Sequence, residues 1–385
     1  MTGQKTKAQN VSQEESKEKE DGGQRIAAAA LVLAAWYQKN GRSLPWRQDR
    51  DAYKIWISEI MLQQTRIEAV KPYYARFMEE LPDVQALAAV EEERLLKLWE
   101  GLGYYSRARN LKKCAVELVE HWNGRLPADY EALKRLPGIG PYTAGAIASI
   151  AYGIAVPAVD GNVLRVLSRL LLSREDIGQA SVKRRAERLL TAYMPSGQPG
   201  AFNEGIMELG ETVCIPNGRP LCENCPVQGY CLAYQGGVQE ELPVKAPKKA
   251  RRQEERTVLI LLYEPAGPAA GRTAKRLVGI RKRPDSGLLA GLYELPSLAG
   301  RLTEEEIRRT LAGQGIFASD ILDAGKARHI FSHVEWDMTG YVVQLGDLPD
   351  TADMIFVERD RLRESYALPS AFRAFQKYIL PPEEI

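Results

Sequence analysis

The 385-residue chain has no apolar run long enough to cross a membrane as a helix. A span needs about 20 apolar residues. The stretch Ile26–Tyr37 falls short and reads as a buried helix. The polar segment before it mixes charges of both signs (Glu14, Glu15, Lys17, Glu18, Lys19, Glu20, Asp21), whereas a secretory leader wants a basic flank. These features predict a disordered tail over residues 1–24, a cytoplasmic location and no membrane partner. There is also no large charge excess. A net charge of +2 excludes a global polycation, so any nucleic-acid surface must come from local clusters of Lys and Arg. Cysteines are scarce. Five in all, an odd count, exclude a disulfide framework. Four of them (Cys214, Cys222, Cys225, Cys231) fall within 18 residues, which points to a metal; Cys114 reads as a small buried side chain.

What is present suggests two domains. From residue 25 onward, apolar residues recur at three and four spacing in Ile55–Met61, Leu87–Leu98, Leu111–Val119 and Val163–Leu172, punctuated by prolines. This predicts an all-α domain over 25–235. Residues 236–254 carry Lys245, Lys248, Lys249, Arg251 and Arg252 and read as a linker, either a solvated hinge or a DNA-backbone contact. Beyond it the period changes. Thr257–Tyr263, Arg276–Arg281 and Tyr341–Leu345 read as strands, and Val334, Trp336 and Met338 alternate with acids. Thr303–Ala312 and Ser370–Ile379 read as helical, giving an α+β domain over 255–385.

Three constellations carry chemistry. Leu136-Pro137-Gly138-Ile139-Gly140-Pro141 lies between two helical patterns. Two glycines two apart permit a tight turn with outward N–H groups, and the following helix adds the positive end of its dipole. This resembles the helix-hairpin-helix element of DNA repair proteins, which grips a phosphate without reading sequence; an ordinary helix–helix turn is the alternative. The cysteines run Cys214-x7-Cys222-x2-Cys225-x5-Cys231, a compact loop with a single CxxC knuckle. Zinc sites usually bring two separate knuckles, so the spacing suits an iron–sulfur cluster better. The third constellation is a pair of carboxylates. Glu59 sits among apolar residues in Ile57–Thr65, where desolvation would keep it protonated. Asp160 opens a helix in Val159–Val163, where the helix N-terminus should hold it ionised. An acid to protonate a leaving base and an anion to stabilise a cationic sugar are what N-glycosidic cleavage needs. A solvated Glu59 and a merely capping Asp160 are the alternatives.

Over residues 40–235 the chain strongly resembles the adenine DNA glycosylase family of the endonuclease III superfamily. The matching blocks are Leu44–Arg47 with Ile57–Thr65, Trp99–Leu111, the hairpin, Val159–Val163 and the cysteine loop, whose first spacer is seven residues where the family typically has six. The resemblance implies roles. Glu59 would protonate adenine at N7. Asp160 would stabilise, or bond to, the oxocarbenium-like sugar, with Tyr142 and Asn162 assisting. Arg47 and Glu204 would line the adenine site. Gln64 and Tyr104 would enter the base stack, with Leu102 shaping that contact, because a base inside a duplex must be extruded to be cut. Gly138 and Gly140 would hold phosphate, and the cysteines a 4Fe-4S cluster. Endonuclease III enzymes carry a lysine where Tyr142 stands; a tyrosine cannot form their Schiff base, which predicts base removal without efficient strand nicking.

Residues 256–380 resemble the family's Nudix-like domain, with Gly287–Pro296 similar to the start of a Nudix box. The metal-binding REx2EE run is missing, which predicts no pyrophosphatase activity. Phe331-Ser332-His333 matches the segment that meets the oxidised base, implying a duplex with an adenine–8-oxoguanine mispair as partner and a monomeric enzyme. Without the resemblance, Phe331 would read as core and the next two residues as a turn. A bifunctional endonuclease III-like enzyme and a DNA-binding scaffold without chemistry are the competing functions; Tyr142 opposes the first, the Glu59–Asp160 pair the second.

Overall fold

The computed structural model describes residues 3–247, 250–265, 276–351 and 353–379, with side chains from Asp21 onward. Lys248 and Lys249 of the basic linker lie outside the described residues. The chain forms two compact units, 1–89 with 110–247 and 90–109 with 248–385. The sequence reading gave a single contiguous boundary near 236–254. The segment 90–109 departs from it because its polar groups are satisfied in the second unit: Lys97 Nζ donates to the Tyr366 carbonyl (3.1 Å), and Glu100 Oε1 accepts from the Leu368 amide (2.8 Å).

The first unit is helical. It holds α1 (Gly3–Asn40), α2 (Ala52–Leu62), α3 (Ile67–Glu80) and α4 (Val84–Ala89). Helix α5 (Glu92–Leu98) belongs to the second unit, and α6 (Ser106–His121) starts there and runs back into the first. The first unit continues with α7 (Tyr130–Arg135), α8 (Pro141–Tyr152), α9 (Gly161–Leu170), α10 (Ala180–Tyr193), α11 (Pro199–Thr212) and α12 (Leu232–Gln235). Helix α1 begins at Gly3, so the backbone of the polar leader is helical where a disordered tail was expected. Its Glu, Lys and Gln are good helix formers. The apolar run Leu87–Leu98 is interrupted at Val90 and Glu91, giving α4 and α5 in place of one helix.

Local sequence explains the starts of the helices that build the site. Asp51, Asp129 and Asp160 cap α2, α7 and α9, each accepting from a backbone N–H three residues on. Helix α8 is small-residue-rich and buried from Thr143 to Ile150. Gly145 lets it approach the next segment closely: a Cβ there would lie 2.3 Å from the Pro157 carbonyl oxygen. The core joins α1, α9, α10 and α11 through Ile26, Leu33, Val163, Leu190, Phe202 and Ile206.

The second unit is built on a seven-stranded sheet: β1 (Arg252–Tyr263), β2 (Leu277–Lys282), β3 (Tyr293–Glu294), β4 (Ser297–Ala299), β5 (Ala318–Ile330), β6 (Val334–Leu345) and β7 (Ile355–Glu358). The main order is β3-β2-β1-β6-β5, with β4 pairing β1 and β7 pairing β2. Strands β1 and β6 run parallel in register from Arg252–Val334 to Tyr263–Leu345; the other pairs are antiparallel. The period of two sends Val258, Ile260 and Leu262 to one core with Trp336 and Phe372, and Leu259 and Leu261 to another with Ile307 under α13 (Glu304–Ala312). Strand β1 starts inside the expected linker, since β6 pairs its full length. The short α14 (Arg359–Ser365) follows β7, and Ser370–Tyr378 winds as a 3₁₀ helix.

Candidate active site

Helix α2 is buried on nearly every side, from Tyr53 through Met61 apart from Lys54. Glu59 therefore has little water to face. It is 8% exposed, and its Oε2 has no hydrogen-bond partner. Burial pushes its pKa from 4.5 up to about 7. The charges of Glu204 and Asp160 add to the rise, while the Tyr142 hydroxyl and Arg47 oppose it. The solvated reading of Glu59 is thereby excluded. Tyr142, at the start of α8, points its hydroxyl at Met207 Sδ (3.2 Å). A thioether is a weak acceptor, so the adjacent Glu59 carboxylate, when ionised, is the better taker of that proton.

Asp160 caps α9. Its Oδ1 accepts the Val163 amide (2.8 Å), and its Oδ2 accepts Asn162 Nδ2 (3.1 Å). The expectation that the helix end alone sets this carboxylate needs correction. Burial is the larger influence and lifts its pKa above the ordinary value, against the amides of Val163 and Asn162 and the charge of Arg165. Asn162 is held in turn by Arg165, whose Nη2 donates to its Oδ1 (2.9 Å).

On the far wall Arg47 ends a 3₁₀ turn, Pro45–Arg47. Its Nη1 donates to Glu208 Oε2 (2.9 Å), its Nε lies 3.5 Å from Glu204 Oε1, and its guanidinium sits over the Tyr37 ring at 5.2 Å. Tyr37 donates to Glu204 Oε1 (2.7 Å). The sequence reading missed Tyr37, Met207, Glu208 and Glu211. A signal existed: Glu204, Glu208 and Glu211 recur at four and three spacing, which puts three acids on one face of α11.

One cavity of about 650 Å³ joins these groups. Arg47, Glu59, Gln64, Tyr142, Asp160, Asn162 and Glu204 all line it, and Lys183 of α10 borders it too. Gln64 is exposed at the mouth with φ of +60°, a left-handed conformation costly for a side-chain-bearing residue. A buried acid able to hold a proton at neutral pH and a hydrogen-bonded carboxylate share a space of ligand size.

Residues 57–192 match the model of the HhH-GPD superfamily base excision DNA repair proteins, and residues 270–378 match a NUDIX domain model. The adenine DNA glycosylase of Mus musculus is 37% identical over 376 residues, covering 84% of this chain and 72% of that one. That of Homo sapiens is 36% identical over 382 residues, covering 85% and 69%. The chain belongs to the adenine DNA glycosylases. A solved non-covalent endonuclease III–DNA complex is 25% identical, covers 56% of this chain and 98% of that chain, and superimposes with a TM-score of 0.48.

The hairpin and the second unit hold other residues singled out in the sequence. In the hairpin between α7 and α8, Gly138 has φ of +75°, and a Cβ there would lie 2.6 Å from Asn110 Cβ. Gly140 caps α8 with open space beside it, and the amides of both glycines have no acceptor among the described residues. In the second unit, Tyr104 is 46% exposed with φ of +48°, and its hydroxyl is 2.9 Å from Ser332 Oγ. Leu102 is buried at 6%, so it supports this bend from inside and presents little surface. Phe331, Ser332 and His333 form the tip joining β5 to β6. Phe331 packs edge-on against Trp336 (4.9 Å), while Ser332 and His333 are exposed. The core reading thus fits Phe331, and the two polar residues face outward.

The four cysteine thiols line one small cavity in the first unit, closed on one side by Arg169. Arg169 Nη1 donates to Cys214 Sγ (3.1 Å) and to the Ile215 carbonyl (3.0 Å). Among the described residues no three ligand side chains converge on a single ion position. Cys114 is buried in α6, as expected of a small core side chain. Among the described residues no helix is long and apolar enough to cross a membrane.

Proposed function

We propose that this chain excises adenine from duplex DNA where it is mispaired with 8-oxoguanine or guanine, hydrolysing the N-glycosidic bond and leaving the strand intact. The observation that carries the reading is the shared cavity holding a buried Glu59 and a hydrogen-bonded Asp160. Neutral Glu59 donates its proton to the departing purine at N7 as the C1′–N9 bond breaks and its electron pair goes to the base. Asp160 stabilises the positive charge left on the sugar. Water adds at C1′ and gives its proton to the Glu59 carboxylate, which restores the acid. Tyr142 and Asn162 hold the two carboxylates in place, and Arg47 and Glu204 bound the base. The hairpin amides of Gly138 and Gly140 suit a backbone phosphate. Gln64, exposed in a left-handed conformation at the cavity mouth, would fill the gap left by the extruded base, and the family resemblance gives the exposed Tyr104 the same task.

The bond between Tyr104 and Ser332 supports a role for Phe331-Ser332-His333 in meeting the base opposite adenine. Four thiols around a common cavity, beside a guanidinium, suit a 4Fe-4S cluster bound by Cys214, Cys222, Cys225 and Cys231 better than zinc. That cluster would serve to fix the loop. A cytoplasmic, monomeric enzyme completes the reading, the reduced compartment keeping those thiols free.

The test is single-turnover cleavage of an adenine–8-oxoguanine duplex. Glu59→Gln should cost at least about 100-fold; retained turnover would remove Glu59 from the acid role. Strand scission should stay slow and borohydride should trap little adduct. Abundant trapping would indicate an amine nucleophile, with Lys183 the first to examine. The double change Ser332→Ala, His333→Ala should erode the preference for 8-oxoguanine over guanine; an unchanged preference moves recognition elsewhere. Iron analysis of the purified protein should find four irons per chain, and zinc in its place would sink the cluster assignment.

A further inference from the structure

The most buried acid at the site is one that the reaction above does not use. Glu208, on α11, is 1% exposed. It accepts from Arg42 Nε at 2.5 Å, from Arg42 Nη2 at 3.1 Å and from Arg47 Nη1 at 2.9 Å. Burial alone would push its carboxyl up, but the Arg42 bonds and the Arg47 charge outweigh burial and hold it below the ordinary value. An ionised carboxylate is therefore locked between two guanidiniums. The consequence falls on Arg47. It lines the catalytic cavity, and its charge draws the Glu59 proton off. A guanidinium has five N–H donors, and without Glu208 those of Arg47 would be held by the Arg42 carbonyl at 3.3 Å and Glu204 at 3.5 Å, both longer than the Glu208 bond.

The charged and titratable groups around this centre come from every wall. Tyr37 faces it from α1, and Arg42, Arg47 and Arg50 from the segment before α2. Glu59 comes from α2, Tyr142 from α8, Asp160 from the head of α9, Lys183 from α10, and Glu204 and Glu211 from α11. Among them Glu208 is the carboxylate bonded directly to Arg47, whereas Glu204 is further off at 3.5 Å.

We infer that Glu208 is a positioning residue for the reaction: it anchors the Arg47 guanidinium to α11, so that the Arg47 charge bears less on Glu59 and leaves the acid its proton. The inference rests on the reading of Glu59 as the acid. With Glu208→Gln the Arg47 guanidinium loses its closest carboxylate, its charge bears more strongly on Glu59, and the alkaline limb of the pH–rate profile would move down.

The experiment is the single-turnover glycosylase rate from pH 5.5 to 9 on the adenine–8-oxoguanine duplex, for the full chain and four variants. Wild type should lose rate with a midpoint near pH 7. Glu208→Gln should shift that midpoint down by at least about half a unit, which is a further loss of about 3-fold on the alkaline limb. Arg42→Gln should move the midpoint by less than Glu208→Gln does, because Glu208 keeps its bond to Arg47 while losing the Arg42 bonds that help to hold it ionised. Arg47→Gln and the double variant Glu208→Gln, Arg47→Gln should share one midpoint, since Glu208 has then nothing left to anchor. The inference is overturned if the Glu208→Gln midpoint does not move, if Arg42→Gln reproduces the shift, or if the double variant departs from Arg47→Gln. Should Glu208→Gln lose its helical circular dichroism, the comparison in the Arg47→Gln background decides alone, as both charges are then removed together. Turnover surviving Glu59→Gln would sink the acid reading and the inference with it; an inactive Glu59→Gln beside an unmoved Glu208→Gln midpoint sinks the inference only.

Discussion

A single proton on Glu59 links stability to chemistry. The folded protein raises the carboxyl from 4.5 to about 7, so it binds that proton more tightly than the unfolded chain does. The stabilisation is complete below pH 4.5 and is lost as pH rises through 7. Above that, the folded state holds a buried carboxylate. Glu59→Gln removes this burden. The variant should match wild type near pH 4.5 and exceed it at pH 8 by on the order of 2–3 kcal/mol. Urea unfolding at both pH values measures this; a gap that does not widen with pH would mean Glu59 is solvated. The burial of Glu59 was legible from its apolar neighbours, and Tyr142 from its place after the hairpin. Tyr37 and Glu211 were not, because they reach the cavity from helices more than 150 residues apart and each alone has an ordinary sequence context. The acid spacing on α11 was there to be read; its meaning depends on which face turns inward, and packing decides that.

Among the elements, α8 and α9 set the distance between the acid's neighbour Tyr142 and the anion Asp160. Their approach depends on Gly145, where a Cβ would lie 2.3 Å from the Pro157 carbonyl oxygen and 3.2 Å from Ala158 Cα. Backbone cannot step aside as a flexible side chain can. Gly145→Ala should cost about 1–3 kcal/mol or more of stability. It should also slow base removal by moving the segment that ends in Asp160. Normal thermal stability with normal rates would show that the two helices separate freely. Sequence periodicity located α2, α6 and α9, although only α6 buries a single stripe and the other two are buried nearly all round. It did not locate β5, whose ASDILDAGKARHI turns only Ile321 and Ala324 fully inward. That strand pairs with β6 alone at the sheet edge, and an edge strand needs little apolar pattern. It likewise did not separate 3₁₀ from α winding at Ser370–Tyr378, since both repeat at nearly the same spacing.

At the scale of the whole molecule, the two domains were legible as a change from helical to alternating period. Their exact membership was not. Residues 90–109 read as one more helical stretch of the first domain, yet they cluster with residues 248–385. Besides the Lys97 and Glu100 bonds, Arg109 pairs with Glu92 at 2.8 Å inside the same segment. Such long-range partnership leaves no mark on local composition. Lys245 is exposed just before the junction and offers trypsin a site. After limited digestion there, the two fragments should co-elute on size exclusion in native buffer and part in denaturant. Separation in native buffer would show that 90–109 has no hold on the C-terminal part.

The shared segment makes the polypeptide behave like a buckle. The strap that leaves the helical body at residue 90 and returns through α6 is fastened to a sheet whose own chain begins more than 140 residues later. Neither half can be grafted, deleted or expressed alone by one cut at the linker without leaving the strap unclasped. An exchange of C-terminal domains between relatives must therefore carry 90–109 along with residues 248–385.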